Sequence, residues 1–401
     1  MIRCLNSTTL LVLPCIALFN VISWAAVEFT PIKTDILGPA DRLIVLRKLD
    51  SWNSGHTERQ NNKALSEKSI VFISSSLGIA AANMADYEMY GAPDPFSQQA
   101  TEYSKYKCLD QQISESSGQT TRTVNLSNVA ALISEDLLVA KEAVRLHGKP
   151  SLMILAIAPR DFLDHYTAAY HRSRLAQILM TRQAATYWNT SKSIQENLDI
   201  LICKIWPYYS QRVEYRDLLI KMACENFSRS ESLFSATKRL ENPAQKQTEP
   251  SKLEAPKADE KATQSTKPLV LTDDLASEDK LVKFDNDYRG RYLPIDSDRW
   301  KLEMESLRSF TQFCNEEKIP LLVVTMPITA RNRNLLPPAF LAEHMKAVNE
   351  IAISSSTKFL NLMADERFVP SDFSDTVHLR SDGSKKLAKI ISAEIQRLHL
   401  L

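Results

Sequence analysis

Glycine is scarce, with only 8 in 401 residues. Gly-x-Gly-x-x-Gly and Gly-x-x-x-x-Gly-Lys loops need clustered glycines so that backbone N–H groups can close on phosphates. No such cluster occurs, which argues against Rossmann dinucleotide binding and P-loop chemistry. A charge excess is also missing. Lys+Arg 49 against Asp+Glu 48 leaves +1, without the basic surplus that a nucleic-acid backbone selects, so no nucleic-acid partner is expected. The six cysteines (Cys4, Cys15, Cys108, Cys203, Cys224 and Cys314) include no Cys-x-x-Cys pair and no Cys/His cluster. No zinc site is therefore expected. Cys4 and Cys15 fall in or beside an N-terminal apolar segment. The other four leave open one disulfide or buried free thiols.

What is present suits a globular chain. Hydrophobic residues make up 44% and charged residues 24%, close to the usual balance. The length fits one core domain with insertions, or two domains. At the N-terminus Arg3 precedes an apolar run over residues 10–27, which Glu28 ends. A basic residue followed by such a run reads as an export signal. Ser23-Trp24-Ala25 offers a small-x-small cleavage site, and the run is also long enough to serve as an uncleaved anchor. A buried core helix is the third alternative. Either export outcome places the body outside the cytoplasm, secreted or tethered to the membrane.

Five short apolar runs recur: 69–74 (SIVFIS), 123–127 (TVNLS), 152–158 (LMILAIA), 321–326 (LLVVTM) and 358–363 (KFLNLM). Near-continuous apolar runs predict strands buried on both faces, hence a parallel sheet. Helical patterns fall between and after them, over 133–146, 298–317, 338–354 and 384–398. Alternating strands and helices predict an α/β fold, a three-layer α/β/α sandwich on a mostly parallel five-stranded sheet. Residues 165–238 interrupt the alternation with helix formers and aromatics and are expected to be a helical insertion. Residues 239–268 have no aromatic and four prolines, too little apolar surface to offset ordering. The expected organisation is a signal peptide or anchor over 1–27, a helical segment over 28–66, a first α/β part over 67–164, the insertion over 165–238, a disordered linker over 239–275, and a second α/β part over 276–401.

Polar clusters fall at the strand ends, where open α/β sheets build their sites. Ser74-Ser75-Ser76-Leu77-Gly78 ends the first strand, and a helix N-terminus after it favours developing negative charge. The alternative is simple helix capping by these serines. Asn125-Leu126-Ser127-Asn128 follows the second strand and Pro159-Arg160-Asp161-Phe162 the third. After the last strand comes Asp375-Thr376-Val377-His378, then Asp382, a possible cap for the final helix. The Asp-x-x-His spacing lets a carboxylate accept from the imidazole and fix its tautomer for general-base work.

With these motifs the chain resembles the SGNH (GDSL-type) hydrolase superfamily. It looks closest to a bacterial, membrane-anchored branch and more distantly like envelope acyl-transfer proteins of the DltD and alginate-acetylation type. The likeness runs from about residue 69 to the C-terminus, apart from the insertion. It implies a flavodoxin-like SGNH fold and a triad of nucleophile Ser76, base His378 and orienting Asp375. It also implies no cofactor, and an O-acyl ester of an envelope glycan or lipid as substrate, hydrolysed or transferred. The departures are that Ser74 and Ser75 stand for the family's Gly-Asp, Ser127 for the second-block glycine, and Arg160 for the third-block asparagine. Ser127 through its N–H and Arg160 are thus the expected oxyanion or substrate-binding groups. Arg160 would suit a phosphate or carboxylate on the substrate, or would pair with Asp161 or Asp164. A catalytically degenerate scaffold or binding protein is the alternative function. His147, His165, His171 and His344 are expected on the surface or in helix packing. Asp161 and Asp164 lack a third metal-ligand type. Tyr288-Arg289-Gly290-Arg291-Tyr292 reads either as a contact for glycan or anionic lipid or as a structural element beside the linker.

Overall fold

All five apolar runs pair edge to edge in the computed structural model, which describes residues 44–57, 67–94, 97–166, 174–183, 277–354 and 357–401. In chain order the elements are α1 (Ile44–Thr57), β1 (Lys68–Ser74), α2 (Ser76–Tyr90), α3 (Lys107–Ser117), β2 (Thr121–Asn125), α4 (Ile133–His147), β3 (Leu152–Ile157), α5 (Arg160–Leu163) and α6 (Arg174–Arg182). Then follow α7 (Glu278–Tyr292), α8 (Ser297–Glu316), β4 (Leu321–Thr325), α9 (Ala330–Arg333), α10 (Pro338–Ser354), β5 (Lys358–Asn361) and α11 (Ser381–Arg397). The described residues belong to one compact unit drawn from 40–201 and 270–401.

The sheet order is β2-β1-β3-β4-β5, and every pair is parallel. The expected mostly parallel sheet is therefore wholly parallel. Every residue of β3 and β4 is buried, whereas the four residues of the edge strand β5 are half-buried or exposed. That gradient explains why LMILAIA is the most apolar run, since a central strand has helices over both faces. Right-handed crossovers send the helices to opposite faces once the strand order reverses. Accordingly α2, α3 and α11 pack on one another as one group, and α4, α8 and α10 as another. The fold is thus the three-layer α/β architecture.

The β2 strand begins two residues before the expected run. Thr121 and Arg122 pair with Lys68 and Ser69, but on an edge strand their polarity reads as loop. Beyond Asn125 the ladder continues, with Leu126 N–H on Phe72 O at 2.8 Å and Asn128 N–H on Ser74 O at 2.9 Å. Gly78 is where α2 lies hard against this junction. A Cβ there would come within 2.5 Å of Ser127 Oγ and Ser74 Cβ and 2.8 Å of Phe72 Cε1.

Cys108 and Cys314 are buried free thiols. Among the described residues no helix is long and apolar enough to cross a membrane. The expectations for the apolar run at 1–27 and the linker at 239–275 lie outside the described residues. So do those for residues 28–43 and 58–66 and for most of the insertion at 165–238.

Candidate active site

The polar strand ends converge on one edge. With the order β2-β1-β3, successive strands are added to opposite sides of β1, and the crevice beyond the carboxyl ends of β1 and β3 is the usual ligand position. Ser76 stands there as the first residue of α2. Ser75 holds the N-cap position, but no side chain caps this helix. The first intrahelical bonds are those of Gly78 and Ile79 to Ser75 O, so the N–H groups of Ser76 and Leu77 precede the ladder, at the positive end of a 15-residue helix.

The other half of the site is a tight loop between β5 and α11. Phe373 and Leu379 pair as an antiparallel bridge, and Ser374 N–H donates to His378 O at 2.9 Å. Inside it, Asp375 Oδ1 accepts the N–H groups of Val377 and His378 at 2.8 and 2.7 Å. Its Oδ2 lies 2.6 Å from His378 Nδ1. The Asp-x-x-His spacing therefore builds both ring support and loop shape. Asp382 does not cap α11. It lies in the first turn, and Arg380 holds the N-cap position.

Across 302 residues of sequence, Ser76 Oγ sits 3.2 Å from His378 Nε2. Ser76 and His378 are 2% exposed and Asp375 9%. Burial by itself would push the Asp375 carboxyl up, but the His378 ring and the two loop N–H groups bring it below the usual carboxylate value. An ionised carboxylate only accepts, so Nδ1 bears a proton toward Asp375, and it is the neutral form of the ring that offers an Nε2 lone pair to the Ser76 hydroxyl. Hydroxyl, imidazole and carboxylate are in line for a proton to leave Oγ.

Arg160 opens α5 and reaches the same hydroxyl, with Nη1 donating to Ser76 Oγ at 3.3 Å. Its Nε lies 3.8 Å from Asp161 and 3.6 Å from Asp164, so the side chain meets the Ser76 hydroxyl and both carboxylates at once. Burial opposes its charge, and Asp164 and Asp161 more than restore it. Burial raises Asp161 to about 6 against the pull of Arg160 and the Ala158 N–H. Asp164 is held low, because Arg160 and Arg291 outweigh its burial.

Ser127 lies at the expected strand end, but its N–H already donates to Asn125 Oδ1 at 3.0 Å. Its carbonyl accepts from Lys48 Nζ at 3.0 Å. Lys48 comes from α1 and is 1% exposed. Burial lowers it to about 7 despite the charge of Glu102. An amphipathic helix hides such a lysine among its polar positions, so nothing in the sequence marked it.

Residues 288–292 form the last turn of α7. Tyr288 and Tyr292 are buried, while Arg291 bonds Asp164 Oδ2 at 2.9 Å. Arg291 lies 5.0 Å from the Tyr166 ring and 6.0 Å from the Tyr288 ring. Burial lifts the Tyr288 hydroxyl well above the usual tyrosine value, with the Asp375 charge adding to it and Arg160 opposing it. His344 is buried in helix packing, where it accepts from Trp300 Nε1 at 3.2 Å, and the His147 ring lies tilted against Trp52 with centroids 4.2 Å apart. His165 lies 2.5 Å from Pro294 O, and His171 lies outside the described residues. Among the described residues no three metal-ligating side chains are grouped to hold an ion.

No protein-family model matches the chain, and no curated protein matches it.

Proposed function

We propose that the chain is an exported serine ester hydrolase or O-acyltransferase of the SGNH type, acting on an O-acyl ester of an envelope glycan or lipid. The observation that carries this reading is the buried line from Ser76 Oγ through His378 to Asp375 at 3.2 and 2.6 Å. Ser76 Oγ attacks the ester carbonyl carbon while His378 Nε2 takes its proton. The tetrahedral intermediate collapses, and His378 returns that proton to the departing alcohol. Water or an acceptor alcohol then attacks the acyl-Ser76 ester, giving its proton to His378 and finally restoring the Ser76 hydroxyl. Asp375 holds the ring and stabilises the imidazolium.

The oxyanion falls to the N–H groups of Ser76 and Leu77 at the start of α2 and to the Arg160 guanidinium. The Ser127 N–H is given to Asn125 Oδ1 and so holds the second-strand end in place instead of facing an oxyanion. Arg160 also favours negative charge on Oγ as the proton leaves. Export and membrane tethering rest on Arg3 and the apolar run that follows it. The sequence as read calls for no metal or cofactor in this chemistry.

A second reading is a binding protein of the cell envelope that keeps the fold without turnover. The engagement of the Ser127 N–H by Asn125 favours it, because one expected oxyanion donor is spent. A fluorophosphonate probe on the purified full chain separates the two. Under the first reading wild type is labelled and Ser76→Ala is not. Unlabelled wild type favours the binding protein, and labelling that persists in Ser76→Ala moves the nucleophile elsewhere.

A further inference from the structure

The loop that carries Asp375 and His378 is clamped from behind at Thr376. Thr329 donates to the Thr376 carbonyl through both its N–H, at 3.1 Å, and its Oγ1, at 2.9 Å. Asn332 Nδ2 donates to Thr376 Oγ1 at 3.1 Å, and Asn332 N–H returns to Thr329 Oγ1 at 3.2 Å. Tyr292 Oη donates to Asn332 Oδ1 at 2.8 Å. Asn332 is 0% exposed and Tyr292 and Thr376 are each 1% exposed, so these bonds are shielded from solvent in the folded chain. Tyr292 adjoins Arg291, which holds Asp164, a carboxylate beside Arg160. Two successive residues of α7 therefore tie to opposite halves of the site, one through Asp164 to the Ser76 side and one through Asn332 to the His378 side.

We propose that Asn332 is a positioning residue which, oriented by Tyr292, fixes Thr376 and through it the distance between the His378 ring and Ser76. This rests on the serine-hydrolase reading above. Thr376 lies between the carboxylate and the N–H groups that the carboxylate holds, so rotation of its peptide displaces Asp375 directly. A displacement on the order of 1 Å in such a line costs up to about a hundredfold in rate. Simple cohesion between α7 and α9 is the competing account. It has its own bonds, because Arg331 pairs with Asp285 and Glu278 of α7 without touching Thr376.

The test compares fluorophosphonate labelling rates and p-nitrophenyl acetate turnover in the full chain. Thr376→Val removes the hydroxyl at constant shape, and Thr376→Ser keeps it. We expect Thr376→Val and Asn332→Ala to slow labelling by about tenfold or more and to lower kcat with KM little changed. Thr376→Ser should restore the rate, and Tyr292→Phe should show a smaller loss of the same kind. Arg331→Ala should label as wild type does. If Thr376→Val labels as fast as Thr376→Ser, the proposal fails while the hydrolase reading stands. If Arg331→Ala slows labelling as much as Asn332→Ala, the tie is only cohesive and the proposal also fails. If Asn332→Ala does not fold, the comparison of Thr376→Val with Thr376→Ser decides. Unlabelled wild type sinks the hydrolase reading itself and the proposal with it.

Discussion

Arg160 answers to two demands, bonding Ser76 Oγ through Nη1 while Asp161 and Asp164 flank its Nε. Lysine would keep the charge but lose the planar fork. Arg160→Gln should therefore slow probe labelling by about 10², with Arg160→Lys in between. Melting temperature measured beside the rate checks the assignment, since a loss of stability with an unchanged rate would make Arg160 structural. Glu303 shows the opposite balance. Its carboxylate accepts from Ser134 N–H and Oγ at 2.8 and 3.0 Å, yet burial lifts it from 4.5 to about 7. Between those values the folded chain holds a proton that the unfolded chain has released. Stability is thus fully present below pH 4.5 and is lost as pH rises toward 7. Glu303→Gln keeps the Ser134 N–H bond on its amide oxygen and turns the Ser134 hydroxyl from donor to acceptor, and it should exceed wild type by up to about 3 kcal/mol at pH 8 and come close to it near pH 4.5. Urea unfolding at the two pH values checks this, and a difference independent of pH would refute it.

Among the elements, α2 carries Ser76 and α7 borders the site. An exposed helical Gly→Ala change usually stabilises, by about 1 kcal/mol. At Gly78 the sign should reverse, because the new methyl meets Ser127, Ser74 and Phe72 at 2.8 Å or less. Gly78→Ala should cost about 1–3 kcal/mol in denaturant unfolding and should slow labelling by shifting the strand ends. Wild-type stability in that variant would mean that α2 stands clear of β1. The α7 helix was the least legible element. Its sequence EDKLVKFDNDYRGRY is dominated by charge, so Tyr288 and Tyr292 read as part of a basic aromatic patch. Their i,i+4 spacing puts both on one face, and that face meets the site only because Arg291 and Tyr292 find Asp164 and Asn332. The start of α11 differed for a simpler reason. Arg380 N–H already bonds Asp372 O at 2.8 Å, closing the turn before Asp382 is reached.

At the scale of the molecule, the sheet is assembled from two distant stretches. The β3 strand pairs with β4 from Met153 with Leu321 to Ile157 with Thr325. Ser76 comes from the first stretch and His378 from the second. A chain cut within residues 239–268 should therefore recover labelling when both fragments are co-expressed. The fragment ending there should be unlabelled by itself, lacking β4, β5 and His378. Labelling of the isolated N-terminal fragment would show that the base is supplied from elsewhere. Most of the sheet is legible in the sequence, since SIVFIS, LMILAIA and LLVVTM declare strands covered on both faces, while the polar starts of β1 at Lys68 and of β2 at Thr121 do not show. The serine block and the Asp-x-x-His loop were legible as strand-end clusters for the same reason.

The sequence alone determined the properties that repeat along the chain: apolar runs that become parallel strands, and polar groups that follow them to one edge. Tertiary structure decided which of those groups meet. Lys48 on the Ser127 carbonyl, Arg160 shared between a hydroxyl and two carboxylates, and Tyr292 reaching Thr376 through Asn332 all depend on how each helix is rotated against its neighbours. That rotation is set by packing over the whole core, whereas periodicity is a local property of a few successive residues.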